Sequence, residues 1–187
     1  MASDLAFARQ QKLSGHEANA IALLQAALGD TAGFEHSLQL YAAARPEIGP
    51  EGIEQLRNYC ALYAALIHND PQGVIAAAGR LPKSIDAPLL YPRGWAYLQT
   101  KDFARAEQDF RQAVLGEKVL SNFNALRTRS PLIEVLAHFY LGQVYEATGK
   151  REQAANEYQE FLSHFDKSRA SLPQIALARA ALQRSLP

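Results

Sequence analysis

The chain has 187 residues, enough to bury a core of ordinary size and a length that favours one domain over two. Apolar residues make up 48% and charged residues 20%, a composition that excludes wholesale disorder. The 19 basic and 19 acidic side chains balance, so no global field draws the protein to nucleic acid or to an acidic membrane surface.

No apolar run approaches the roughly 18 to 20 residues that a bilayer span needs, and the opening MASDLAFARQ lacks a signal-like apolar region. The expectation is a soluble domain without membrane insertion, equally compatible with a cytoplasmic or an extracytoplasmic part of a longer protein. Helical periodicity and alanine dominate and alternating β-branched runs are missing, so the chain reads as all-α. Helices are expected over 2–13, 16–28, 31–44, 51–68, 71–80, 87–99, 102–116, 131–148, 150–165 and 172–186. The breakers between them are Gly15, LGD at 28–30, RPEIGP at 45–50, NDP at 69–71, LPKSIDAP at 81–88 and Gly149.

Short breaks between helices of one to two dozen residues favour antiparallel pairs, which raises the question of a repeat. A unit set from Met1 (1–34) places Ala8, Gly15, Ala20, Leu24 and Ala27 in register but puts Gln11 at position 11, and so reads as a degenerate repeat. Residues 50–83 carry a helix pair with small and aromatic residues out of register. Its Cys60, in YCALYAALI, reads as a small buried thiol; as the only cysteine it has no intrachain disulfide partner.

From Ala87 (87–116) the register is full: Gly94 at 8, Tyr97 at 11, Ala106 at 20, Phe110 at 24 and Ala113 at 27. After an insertion over 117–134 it recurs from Val135 (135–166), with Leu141 and Gly142 at 7 and 8, Tyr145 at 11, Gly149 at 15, Ala154 at 20 and Tyr158 at 24. Small residues at 8 and 20 let two helices approach, bulky ones at 11 and 24 fill the gap, and the glycine at 15 ends the first helix. This spacing resembles the tetratricopeptide repeat and implies an α-solenoid of antiparallel helix pairs. The segment 171–187, with Ser171 as candidate N-cap and Gln174 three residues on, reads as a capping helix over the last pair.

The elements YPRGWAYL, EQDFRQ, the insertion before LAHFYLGQVY, YQEFL and the LP that opens the last helix carry a narrower resemblance over Leu89 to Leu182. The chain is similar there to the C-terminal repeat region of bacterial eukaryotic-type serine/threonine kinases and of related winged-helix regulators. That resemblance implies a scaffolding or sensory module of a signalling protein. No glycine-rich phosphate loop, HRD or DFG is present.

Motifs for chemistry are equally absent. His16, His36, His68, His138 and His164 never stand three to five residues apart and no cysteine cluster accompanies them, so neither a metal nor a cofactor is expected. His138, at position 4 of its unit, reads as a partly buried structural histidine. Asp102, Glu107 and Asp109, and likewise Glu152, Glu157 and Glu160, alternate with arginines and read as solvated helix faces. With no nucleophile elbow or Cys/His signature, no catalytic residue is assigned and an enzyme is not expected. Lys118, Arg127 and Arg129 form a candidate anion contact within a solvated loop.

Function falls instead to the concave face of such repeats, lined by positions 2, 5, 9, 12 and 13 of each first helix. Here that face carries Tyr91, Trp95, Leu98 and Gln99 from one unit and Leu136, Phe139, Gln143 and Glu146 from the next. An aromatic groove centred on Tyr91, Trp95 and Phe139 suits an apolar helix or an extended peptide. The expected activity is protein or peptide binding by a monomer or weak dimer. The alternative is sensing of a small apolar ligand in the same groove.

Overall fold

The computed structural model describes residues 15–82, 86–119, 131–165 and 172–185. Among them the regular elements are all helical: α1 (Gly15–Leu28), α2 (Thr31–Ala44), a 3-10 turn (Pro46–Ile48), α3 (Gly49–Ile67), α4 (Pro71–Ala78), α5 (Asp86–Gln99), α6 (Phe103–Val119), α7 (Pro131–Ala147), α8 (Arg151–Ser163) and α9 (Pro173–Ser185). These follow the expected helices to within a few residues. The helix expected over 2–13 lies outside the described residues.

Four turns share one construction. Between α1 and α2, α3 and α4, α5 and α6, and α7 and α8, a single residue takes the left-handed conformation: Gly29 (φ 71°), Asn69 (57°), Lys101 (60°) and Gly149 (75°). The next residue donates its backbone N–H to a carbonyl five residues back, from Asp30 to Gln25 (2.9 Å), Asp70 to Ala65, Asp102 to Tyr97 and Lys150 to Tyr145 (2.8 Å each). This satisfies carbonyls that the helix end would leave open. In the first three turns that next residue is an aspartate, whose carboxylate accepts from the N–H of Gly33 (3.0 Å), Gly73 (3.0 Å) or Arg105 (3.2 Å). One residue ends a helix and its neighbour starts the next.

With the left-handed residue as position 15, the helix pairs begin at residues 15, 55, 87 and 135. The last two starts are those expected from side-chain pattern. In the first pair the turn is at Gly29, whereas the register set from Met1 places it at Gly15, a glycine that instead opens α1.

The chain forms two compact units, residues 1–84 and 85–187, whose boundary falls within the LPKSIDAP breaker. In the first, α1 packs against α2 and α3, and α3 against α4. Its core holds Ala22, Leu38, Cys60, Leu62 and Val74. Arg57 of α3 bonds Glu35 of α2 (2.9 Å) and lies 5.8 Å over the Phe34 ring.

In the second unit, α5 through α9 pack each against the next. Phe110, Phe139, Leu141, Val144, Tyr158 and Phe161 are buried at its centre. Glycine makes the close approach within each pair. A Cβ on Gly142 would stand 2.7 Å from Cε1 of Tyr158, and one on Gly94 would stand 3.0 Å from Cε1 of Phe110. Position 8 therefore faces position 24 in both pairs, as the spacing implies. α9 lies against α8 and buries Ile175, Ala178 and Ala181.

Candidate functional site

The eight residues expected to line the groove separate into four groups. Trp95 (8% exposed) and Phe139 (2%) are core residues. The Phe139 ring lies 5.9 Å from that of Tyr158 and 5.3 Å from that of Phe161, both on α8, so it seals the α7–α8 pair and does not face an open groove. Tyr91 is half-buried, edge-on to Tyr140 (5.7 Å) and Phe110 (6.4 Å). The aromatic centre assigned from sequence is thus largely internal. Position counting along one helix cannot see the rings that the next helix supplies.

Glu146 is exposed but engaged. It accepts from the Tyr158 hydroxyl (3.0 Å) and from Arg184 of α9 (3.0 Å), tying α7, α8 and α9 together. Burial, followed by this carboxylate, pushes the Tyr158 phenol well above its ordinary range. The remaining residues, Leu98, Leu136 and Gln143, are half-buried, and Gln99 is exposed. Together with Glu146 and the half-buried Tyr91, these four form the accessible part of the first-helix face. The expected anion contact of Lys118, Arg127 and Arg129 falls outside the described side chains.

The charges divide differently from the sequence reading. Asp109 is 4% exposed and receives two hydrogen bonds from Arg93 of α5, at 2.7 and 2.8 Å. It is a buried clamp between α5 and α6, not part of a solvated face. Glu107 bonds Lys150 across the unit at 2.7 Å. In the first unit a cleft of about 490 Å³ opens between the end of α2 and the start of α3, and its cations Arg45 and Arg57 are paired with Glu47 and with Glu35 and Glu54. Cys60 is buried as expected, and desolvation pushes its thiol up to about 11.

One arrangement has no counterpart in the linear spacing. His138 of α7, Glu160 of α8 and His164 at the α8 C-cap each offer a donor atom, and these atoms all lie within 4.8 Å of one another. His138 Nδ1 is 2.7 Å from Glu157 Oε2, and His164 Nε2 is 3.9 Å from Glu160 Oε1. The His138 side chain is 12% exposed, which makes it the partly buried histidine expected; those of Glu160 (58%) and His164 (40%) are open. Glu160 and His164 stand four apart on one helix, a signal readable in the sequence, but only the α7–α8 pairing brings His138 to them.

The tetratricopeptide repeat family matches residues 87–115, which is the α5–α6 pair. No curated protein and no solved structure is similar to the chain at a significant level. The fold and the match together define an all-α, tetratricopeptide-like helical repeat, a class that serves in general as a protein-interaction module. Among the described residues no helix is long and apolar enough to cross a membrane.

Proposed function

We propose that the second unit is a non-catalytic module that binds a protein segment, a helix or an extended peptide, on the first-helix face of α5 and α7. Leu98, Gln99, Leu136 and Gln143 are its contact residues, with Trp95 and Phe139 as the buried floor. The observation that carries this reading is the tetratricopeptide match on α5–α6, reinforced by the repetition of its glycine–aromatic contact in α7–α8. Its further placement in a bacterial signalling kinase or winged-helix regulator rests on the resemblance over Leu89 to Leu182. Sensing of a small apolar ligand is the weaker reading, because two of the rings that would wall its pocket are buried in the core.

Peptides selected against the purified chain from a random library test the docking face. Leu98→Glu and Gln143→Glu change accessible positions, so each should weaken the selected peptides about tenfold or more, about 1.4 kcal/mol, at an unchanged melting temperature. Undiminished binding by both variants would overturn the assignment. Trp95→Ala is a stability variant and says nothing about docking.

A further inference from the structure

We propose that His138, Glu160 and His164 form a binding site for a divalent transition-metal ion of the zinc, cobalt or nickel class. The ion would clip α7 to the C-terminal end of α8. Two imidazoles and a carboxylate are the donors that such ions take in three-ligand sites, with remaining positions left to water or to a partner's donor. Imidazole also selects against calcium and magnesium, which prefer all-oxygen shells.

The geometry is close to what binding needs. Metal–ligand bonds of about 2.0 to 2.2 Å place neighbouring donors roughly 3 to 3.5 Å apart. The three donor atoms lie within 4.8 Å and one pair is already at 3.9 Å. The remaining closure falls to Glu160 and His164, whose open side chains adjust by rotation.

His138 is the fixed member. Its Nδ1 is held by Glu157 at 2.7 Å, which directs the ring, and we assign ligation to the other nitrogen, Nε2. This carboxylate–histidine–metal order is how ligating histidines are ordinarily oriented. Glu157 and Glu160 together also supply the negative charge that favours a cation. Because the donors come from two helices, an ion bound here stabilises the native pairing and not the unfolded chain.

The test is a zinc titration of the full chain by calorimetry and thermal unfolding, with the cobalt absorption spectrum reporting the donor set. Zinc should bind saturably at micromolar concentration and raise the melting temperature. His164→Ala and Glu160→Gln alter exposed side chains and should leave metal-free stability unchanged while abolishing that rise. Glu157→Gln should cost about tenfold to a hundredfold in affinity. A variant with His16, His36 and His68 all replaced by alanine should bind as the parent does. Absence of saturable binding, or binding that survives His164→Ala, or binding lost in the triple variant, would overturn the proposal.

Discussion

Gly142 has no side chain because Tyr158 occupies the space one would need. A Cβ there would lie 2.7 Å from Cε1, 2.8 Å from Cδ1 and 3.0 Å from Cζ of a ring that is itself only 2% exposed and cannot move aside. Gly142→Ala should therefore destabilise the chain by about 1 to 3 kcal/mol in urea unfolding. Gly94→Ala meets Phe110 at 3.0 to 3.2 Å, and the roughly 1 kcal/mol gained by placing alanine in a helix interior offsets much of that strain. Equal losses at the two glycines would contradict this account. The contact was legible in the sequence because a glycine at position 8 and an aromatic at 24 recur. The side chain at position 5 was not: Phe139 faces α8, and only the rings of Tyr158 and Phe161 decide that.

Among elements, the turns carry more register information than the side chains between them. In the pair starting at 55, position 8 is Leu62, position 20 is Val74 and position 24 is Ala78, all buried, so the large and small partners have changed places. That exchange hid the repeat from a pattern built on glycine at 8. The turn is the same nonetheless: Asn69 with Asp70 does what Gly29 with Asp30 and Lys101 with Asp102 do. Aspartate after the left-handed residue was the overlooked signal, since TKD at 100–102 contains no glycine to mark it. Lys101 holds φ 60° against the preference of an L residue, so Lys101→Gly should stabilise the chain by about 1 kcal/mol, and Gly149→Ala should destabilise it by a similar amount. Thermal unfolding of the two variants checks both signs. A loss of stability at Lys101→Gly would mean that the turn is not strained.

On the scale of the whole molecule, the two units build their cores differently and share one electrostatic liability. In the first, α3 lies more on α1 than on α2; in the second, α7 lies mainly on α6. Each buries weak acids in their neutral forms. Desolvation raises Cys60 to about 11 and raises Tyr63 in the first unit, and it raises Tyr145 and Tyr158 in the second. A native state that keeps protons which the unfolded chain releases loses stability as pH rises. The contribution is intact below the ordinary thiol value of 9.0 and declines as pH climbs from there through about 11, with the phenols adding their share above their ordinary 10.0. Urea midpoints should therefore hold steady from neutral pH to about pH 9 and fall beyond it. Cys60 should resist thiol reagents until the first unit unfolds. Cys60→Ala should flatten the earliest part of the decline, and Tyr158→Phe the later part. A midpoint unchanged up to about pH 11 would show that these groups ionise in the folded chain as readily as in water.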